Sequence, residues 1–283
     1  MILFGMHSSL WTADWTPPAA EIAVAEAAKY GLSVIEIALL TPETVDVDHS
    51  RALFKQYGVA PSGSLCLPME ITAPHHPKEA EAFLMKALDV AHALGCEFLG
   101  GVTYSTLGWR SGDPPTSLEY SNIVKALKPV ARRAAEYRMT IGLEPCNRYE
   151  THLLNTAEQS LRLMAAIDEP NLTIHLDTYH MNIEEKGLAD GFRTAGKATR
   201  YVHLSESHRG VPGTGSVDWE AAFAALSETG FDGDLVMESF VTLPPAIAAA
   251  LSVWRPVAKD RYEVLDRGVP YLRDLARKHR LIE

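Results

Sequence analysis

Aliphatic and polar positions alternate strictly along residues 172–177, and this is the most informative stretch of the chain. Leu172, Ile174 and Leu176 fall on one face of an extended segment, and the other face carries Thr173, His175 and Asp177. A buried row of a hydroxyl, an imidazole and a carboxylate costs free energy unless these groups are paired or bind something. The pattern therefore predicts a strand whose polar face is turned toward a site.

Short apolar runs of this kind alternate with segments of helical periodicity along the whole chain. The predicted strands cover about 2–7, 34–39, 60–67, 98–103, 140–144, 172–177, 201–205 and 234–240. The predicted helices cover about 17–30, 48–57, 78–94, 117–137, 156–167, 182–195, 218–229 and 260–280. Because alternating strands and helices indicate a parallel sheet, the pattern favours an α/β protein with a single (β/α)8 TIM barrel over residues 1–283. An open, doubly wound sheet is the alternative, but no glycine-rich phosphate loop follows the first strand.

Two connections are longer than the others, at about 104–115 and 241–259. Both follow a strand, which places them at the carboxyl end of the barrel, where such folds carry their sites. Trp109 and Trp254 lie in these loops, and they either wall off a pocket or pack on the rim.

Composition narrows the classes of partner. The net charge of −10 argues against a nucleic-acid partner, which needs a basic surface. The three cysteines are odd in number and widely spaced, so a disulfide framework or thiolate zinc site is not indicated. The amino-terminal residues lack signal-peptide features, and no apolar run approaches the ~20 residues of a membrane span. We therefore expect a soluble cytoplasmic protein with no membrane partner.

Four of the predicted strands each carry one metal-ligand residue near the carboxyl end, opposite the aliphatic face. They are Glu144, Asp177, His203 and Glu238. In a barrel these four ends converge at one mouth. One such residue alone is more often a hydrogen-bonded structural group, but four in register on consecutive strands argue for a shared site. Its oxygen-rich donors suit Mn²⁺, Mg²⁺ or Co²⁺, and zinc is less natural without thiolates.

Glu144 and Glu238 lie on strands separated by two others, so they can flank a bound molecule. A metal that chelates a carbonyl and a neighbouring hydroxyl acidifies the adjacent carbon. One carboxylate can then remove a proton and the other can return one. Return on the opposite face is epimerisation, and transfer to the next carbon is isomerisation. Spacing alone leaves both open.

The motifs around these residues resemble those of the ketose 3-epimerases, the D-tagatose, D-psicose (D-allulose) and L-ribulose 3-epimerases of the xylose-isomerase-like barrel superfamily. The resemblance is dense from about 140 to 255, and it is carried by the segments 143–150, 176–185, 202–210, 213–215, 237–240 and 254–255. The flanks of Asp177 and His203 are the specific part, because the wider superfamily shares the ligands but not these flanks.

The resemblance implies a metal-dependent enzyme that inverts C3 of free ketoses through a cis-enediolate held at the metal. Glu144, Asp177, His203 and Glu238 would bind the metal, with Mn²⁺ first and Co²⁺ or Mg²⁺ as alternatives. Glu144 and Glu238 would also be the catalytic acid/base pair. The residues matching positions that grip the O1–O3 end of the sugar are Glu150, His180 and Arg209. Related epimerases are dimers or tetramers, so a homodimer or homotetramer is expected.

Further positions are expected to contact the substrate, and His7 among them departs from the family pattern. His7 stands where some members have an aromatic residue, and it either contacts the far end of the sugar or is a hydrogen-bonded buried imidazole. Ser64 and Cys66 end the third strand and are predicted to line the site, and Trp15 and Trp109 are further predicted contacts. Glu36, in the middle of a strand, is predicted to support a site residue, with His175 as a candidate neighbour, or to pair structurally.

Three competing functions follow from the same residues. An aldose–ketose or hydroxypyruvate-type isomerase would use the same metal site. An apurinic-site endonuclease on this barrel would need a basic surface and further histidine ligands, which the charge opposes. A non-catalytic sugar- or metal-binding protein would keep the ligands but not turn over.

Overall fold

Eight parallel strands close into a barrel in the computed structural model, which describes residues 2–241 and 243–283. Each strand pairs in parallel with the next one along the chain, and the eighth pairs with the first. The strands are β1 Phe4–His7, β2 Val34–Ala38, β3 Ala60–Cys66, β4 Phe98–Val102, β5 Thr140–Leu143, β6 Leu172–Asp177, β7 Thr199–Leu204 and β8 Asp234–Met237. The predicted (β/α)8 barrel is thereby confirmed.

Helices follow the strands and form the outer layer. They are α1 Pro17–Lys29, α2 Val47–Tyr57, α3 Pro77–Leu94, α4 Ser117–Glu136, α5 Ala157–Ile167, α6 Thr178–Glu184, α7 Leu188–Ala195, α8 Trp219–Glu228, α9 Pro245–Ala250, α10 Arg261–Glu263 and α11 Val269–Lys278. Short 3₁₀ turns cover Ser8–Leu10, Pro42–Thr44, Met69–Ile71 and Gly196–Ala198, and a π-helical turn covers Val264–Gly268. No helix in the described part of the chain is long and apolar enough to cross a membrane.

Local sequence explains where the helices begin and end. Thr116 and Glu119 form a reciprocal capping box at the start of α4. Asp46 accepts a hydrogen bond from the backbone of His49 at the start of α2, and Gly58 ends that helix with a φ of 66°. These are the residue types that the sequence places at the predicted boundaries.

Two apolar clusters hold the barrel together. The larger lies between the strands and the surrounding helices. The smaller one is formed by Val34, Phe98, Tyr201 and Val236 and plugs the barrel interior. The rings of Phe98 and Tyr201 stack with their centroids 4.0 Å apart. The plug closes the amino-terminal end of the barrel, so polar groups above it face only the opposite mouth.

Glycines in two neighbouring strands make room for this plug. A Cβ atom at Gly100 would lie 2.4 Å from Phe98 Cζ and 3.0 Å from His175 Nδ1, and one at Gly142 would lie 2.5 Å from Phe98 Cζ. These distances are shorter than non-bonded carbon atoms tolerate. The phenyl ring of Phe98 can therefore fill the barrel only because both positions lack side chains.

Two predicted helices differ from the structure. The helix expected at 182–195 is two helices, because α6 begins directly after β6 and the extended Gly187 separates it from α7. Asp177 caps α6 by accepting a hydrogen bond from the Tyr179 backbone. The helix expected at 260–280 is present over 261–278, with a π-helical turn at Val264–Gly268 inside it. The hydrophobic periodicity of the sequence predicts neither the division at Gly187 nor the π-helical turn.

Candidate metal and substrate site

The four predicted metal ligands converge at the carboxyl end of the barrel. His203 Nδ1 lies 3.5 Å from Glu144 Oε1, 3.7 Å from Glu238 Oε1 and 4.0 Å from Asp177 Oδ2. Glu144 and Glu238 each follow the last residue of a strand, and their backbone N–H groups still donate to the neighbouring strands, to Gly101 and to Leu204. All four ligand side chains are buried. Ladder bonding at the strand ends thus fixes where both glutamates point.

The residues present fit a divalent cation. His203 Nδ1 is a buried nitrogen without a hydrogen-bond partner in the described part of the chain, although three carboxylate oxygens surround it. Burial lowers the pKa of His203, but Glu36, Glu238 and Glu144 outweigh burial and raise this pKa well above its ordinary value. Both observations indicate that this point attracts positive charge. Three oxygen donors and one imidazole are a donor set suited to Mn²⁺, Co²⁺ or Mg²⁺.

Arg209 places its guanidinium against two of these carboxylates. Its Nη1 donates to Asp177 Oδ2 at 2.7 Å and also contacts Glu238 Oε2. The guanidinium stacks on the ring of Tyr179 at 3.9 Å and lies 5.0 Å from the ring of Phe240. Burial lowers the pKa of Arg209, but the facing carboxylates outweigh it and raise this pKa, so the side chain is a fixed cation. The stacked rings hold a charged donor at the mouth of the site.

His180 is a neutral hydrogen-bond donor. Its Nδ1 accepts a bond from the backbone N–H of Asn147 at 3.0 Å, and a backbone amide can only donate. Burial lowers the pKa of His180 to about 3, so the ring carries its single proton on Nε2. That nitrogen lies 3.7 Å from Asp177 Oδ2 and 3.9 Å from Glu144 Oε1. The closest polar neighbour of Nε2 is Arg209 Nη2 at 3.2 Å, so this nitrogen lies between the guanidinium and the two carboxylates.

Two glutamates of the site hold protons more tightly than usual. Burial raises the pKa of Glu144 to about 7; His203 opposes this rise, and repulsion from Asp177 and Glu238 adds to it. Burial likewise raises the pKa of Glu150 to about 7 against the opposing charge of Arg209. Glu150 Oε1 accepts from the Asn147 side chain at 2.9 Å, and Oε2 has no partner among the described residues. Carboxyl groups that titrate near neutral pH are suited to moving protons.

A cavity of about 310 Å³ lies above these groups. Its inner end is lined by Glu144, Glu150, His180, His203, Arg209 and Glu238. Its outer half is mainly apolar and includes Leu243 and Leu251, which follow β8. His7, Ser64 and Cys66 lie on the cavity wall as the sequence predicts, with His7 Nε2 3.3 Å from Ser64 Oγ. Burial lowers the pKa of His7 to about 4.

Two of the expected substrate contacts lie away from the cavity wall. Trp15 is buried against Phe54 and donates to Ser50 Oγ at 3.0 Å. Trp109 packs with its ring 5.0 Å from both His75 and His152. Neither indole lines the cavity, so their contact with substrate stays a prediction. Both rings instead anchor the segments that follow β1 and β4.

Several residues of the site carried no signal in the sequence pattern. Asn147 joins His180 to Glu150 through its backbone and side-chain nitrogens. Tyr104 donates to the backbone oxygen of Glu144 at 2.9 Å. Glu36, which the sequence did predict as a supporting residue, contacts His203 and interacts electrostatically with its candidate neighbour His175. Asn147 lies near a predicted ligand in the sequence, which is a signal that could have found it. The hydrogen-bond partners of these residues lie on other strands and loops, so the sequence of one segment does not predict them.

Comparisons with known proteins agree with this geometry. Residues 24–257 match the family model described as xylose isomerase-like TIM barrel. The chain is 38% identical over 276 residues to an L-ribulose 3-epimerase of Methylomonas sp. strain DH-1, covering 95% of this chain and 96% of the relative. It is 36% identical over 276 residues to a ketose 3-epimerase of Arthrobacter globiformis, covering 95% of each.

A solved structure is similar over nearly the whole chain. It is the D-allulose 3-epimerase from Methylomonas sp. in complex with D-allulose, with a TM-score of 0.92, 36% identity and 96% of each chain covered. The chain therefore belongs to the xylose isomerase-like TIM barrel family, and within it to the ketose 3-epimerases. It is an isomerase-class enzyme.

Proposed function

We propose that this protein inverts C3 of free ketoses of the D-psicose (D-allulose)/D-fructose, D-tagatose or L-ribulose type. The observation that carries the proposal is the approach of Glu144 and Glu238 to within 3.7 Å of the same His203 nitrogen from two strands separated by two others. Two carboxylates on different sides of one point can act on opposite faces of a bound molecule. The D-allulose bound by the Methylomonas relative supports a sugar of this size.

Glu144, Asp177, His203 and Glu238 would hold the divalent metal, with Mn²⁺ preferred and Co²⁺ or Mg²⁺ as alternatives. When bound, such a cation polarises a substrate carbonyl and so acidifies the adjacent C–H bond.

Side chains of the site then divide the remaining work. One of the pair Glu144 and Glu238 removes the C3 proton, and the other delivers a proton to the opposite face, which inverts C3. His180 Nε2–H and Arg209 donate hydrogen bonds to substrate oxygens on which negative charge develops. The unpartnered Oε2 of Glu150 accepts a hydrogen bond from a sugar hydroxyl.

Product analysis on a panel of ketoses tests the function. Purified protein with added Mn²⁺ is incubated with D-fructose, D-psicose, D-tagatose and L-ribulose, and the sugars are separated chromatographically. We expect interconversion of at least one C3 pair, its loss on treatment with EDTA, and its return when Mn²⁺ is restored. The proposal is wrong if the metal-loaded protein converts none of them.

Reaction in D₂O separates epimerisation from isomerisation. An epimerase exchanges the C3 hydrogen for deuterium, whereas an aldose–ketose isomerase exchanges hydrogen at C1 or C2. Label at C1 or C2 without label at C3 would assign the isomerase alternative.

Other expectations stay predictions beside this function. We propose that residues 1–283 form a single domain, that the enzyme works in the cytoplasm, and that it forms a homodimer or homotetramer. Residues 241–259 and the last helix are candidate interface elements. Light scattering of the purified protein tests the assembly.

A further inference from the structure

Glu36 is a fully buried carboxylate that the proposed reaction does not use. It lies in the middle of β2, inside the barrel and beneath the site. Its Oε2 lies 2.7 Å from His203 Nε2 and accepts a hydrogen bond from Tyr201 Oη at 2.8 Å. Its Oε1 has no hydrogen-bond partner among the described residues and is 3.7 Å from His7 Nε2. A buried carboxylate needs a compensating role.

Glu36 Oε2 accepts the phenol O–H of Tyr201 at 2.8 Å, and its other close neighbour is His203 Nε2 at 2.7 Å. A carboxyl oxygen that accepts one hydrogen bond and lies this close to an imidazole nitrogen is placed to accept an N–H from the ring. The short contact to His203 Nε2 therefore requires a proton on that nitrogen. The other ring nitrogen, Nδ1, is the one that faces the carboxylates of the metal site.

We propose that Glu36 is a positioning residue that fixes the proton of His203 on Nε2, so that Nδ1 presents its lone pair to the metal. This inference rests on the proposed metal site. The opposite tautomer is a real competitor, because Nδ1 faces three carboxylate oxygens that would each attract a proton. Without the acceptor on the Nε2 side, the proton would move to Nδ1 and block the ligand position.

The packing around His203 supports a fixed ring orientation. The His175 ring lies edge-on to it with centroids 4.1 Å apart, and the His7 ring lies 5.8 Å away. Tyr201, the other donor to Glu36, is stacked on Phe98 and also contacts Ser62 Oγ at 2.6 Å. Tyr201 and His203 therefore both bind Glu36 Oε2, which keeps this oxygen beside Nε2 of the imidazole.

Metal affinity measured without substrate tests the role of Glu36. In Glu36→Leu the acceptor is lost, and we expect the Kd for Mn²⁺, titrated by EPR, to rise about 10–100-fold, as is typical for groups that orient metal ligands. In Glu36→Gln the amide oxygen can still accept from both His203 and Tyr201, so the increase should be smaller. Tyr201→Phe removes the other donor to Glu36 but leaves His203 its acceptor, so the Kd should rise less than in Glu36→Leu. Glu43→Gln, on an exposed carboxylate, is the matched control, and its Kd should stay at the wild-type value.

Nitrogen-15 NMR of the wild-type protein gives a second readout that needs no variant to fold. In protein with ¹⁵N-labelled histidine and the diamagnetic probe Zn²⁺, we expect the His203 signal to show a protonated Nε2 and a metal-bound Nδ1. His203→Gln identifies the signal by its disappearance. A protonated Nδ1 would overturn the proposal, and so would a folded Glu36→Leu variant that binds Mn²⁺ with the wild-type Kd.

These outcomes are separable from those of the proposed function. Protein that binds Mn²⁺ tightly but converts no ketose removes the function and leaves the role of Glu36 intact. Protein that epimerises ketoses while Glu36→Leu retains the wild-type Kd removes the role of Glu36 and leaves the function intact.

Discussion

Neighbouring backbone N–H groups determine which ring nitrogen carries the proton in two histidines of this site. The backbone N–H of Ser9 donates to His7 Nδ1, and that of Asn147 donates to His180 Nδ1. Both rings therefore carry their proton on Nε2, and burial keeps them neutral with pKa values of about 4 and about 3. Because these N–H groups do not titrate near neutral pH, the pH dependence of the reaction should come from the carboxyl groups.

Replacing either proposed acid/base residue should suppress inversion of C3 but still allow the other residue to exchange the C3 hydrogen of one epimer with solvent. In Glu144→Gln or Glu238→Gln we expect turnover to fall about 10²–10⁴-fold, the usual contribution of a positioned proton-transfer group. The remaining carboxylate can still exchange the C3 hydrogen of one epimer with solvent. The measurement is C3 deuteration of each epimer in D₂O at saturating Mn²⁺.

The two variants should therefore exchange opposite epimers. Glu43→Gln, which changes an exposed carboxylate, is the control and should behave as the wild type. If both variants exchange the same epimer, or if either still inverts C3 at the wild-type rate, the assignment of the two-face mechanism is wrong.

Alternation along a strand was enough to find the groups that point into the barrel. Glu144, Asp177, His203 and Glu238 were predicted from it and come together around one nitrogen. Trp15 and Trp109 lie in irregular segments, where no period says which way a side chain points, and neither lines the cavity. Periodicity thus locates residues on strands and gives no direction for residues in loops.

At the level of elements, the loop after β7 depends on one buried glutamate. Glu206 Oε1 accepts from the backbones of Ser207 and Val217, and Oε2 accepts from Gly213 N and Trp219 Nε1. This loop carries Arg209, whose φ is 63°, an uncommon left-handed conformation for a residue other than glycine. The four bonds hold the backbone conformation that delivers the guanidinium to the site.

Glu206→Gln should destabilise the protein and weaken catalysis through Arg209. Each carboxylate oxygen accepts from two donors, so the amide NH₂ of glutamine would face two N–H groups. Leaving buried donors unpaired costs about 1–3 kcal/mol. We expect a free energy of unfolding lower by about that amount, measured by urea denaturation, together with a higher KM.

Glu228→Gln, on an exposed carboxylate paired with Arg193, is the control and should change stability little. An unfolding free energy for Glu206→Gln equal to that of the control would mean that the loop does not depend on this carboxylate.

The helix boundaries show where local sequence stops being sufficient. The capping box at Thr116 and the glycine at 58 act within a few residues, and the structure begins or ends helices there. The start of α6 directly after β6 depends on Asp177, which serves both as a predicted metal ligand and as a helix cap. Hydrophobic periodicity predicts which face of a strand Asp177 lies on, but it does not predict that the same carboxylate also caps a helix.

For the molecule as a whole, charge is arranged along the barrel axis. The plug formed by Val34, Phe98, Tyr201 and Val236 is apolar, and the acidic groups gather above it. The eight-fold alternation of the chain predicted this architecture because each strand–helix unit repeats the same pattern. The arrangement leaves Asp234, at the start of β8, as a half-buried carboxylate at the closed end, far from any proposed role.

Burial of Asp234 should contribute a loss of stability between about pH 4 and pH 6. Burial, with repulsion from Glu97, raises its pKa from 3.8 to about 6, while a hydrogen bond from Leu3 N at 3.3 Å and the charge of Arg200 oppose the rise. In this window the folded protein binds a proton that the unfolded chain has released, so folding weakens as pH rises through it and stays weakened above it.

Asp234→Asn removes this penalty and keeps an oxygen that can accept from Leu3. The free energy of unfolding of the variant, minus that of the wild type, should therefore grow on the order of 3 kcal/mol from about pH 4 to pH 7. Urea denaturation across this range measures it, and the metal is kept out with EDTA so that metal binding does not contribute. Asp232→Asn, an exposed neighbour paired with Arg200, corrects for the loss of a carboxylate at this end. If the change in the free energy of unfolding is the same for Asp234→Asn and Asp232→Asn at every pH, the buried carboxylate of Asp234 does not limit the stability of the barrel.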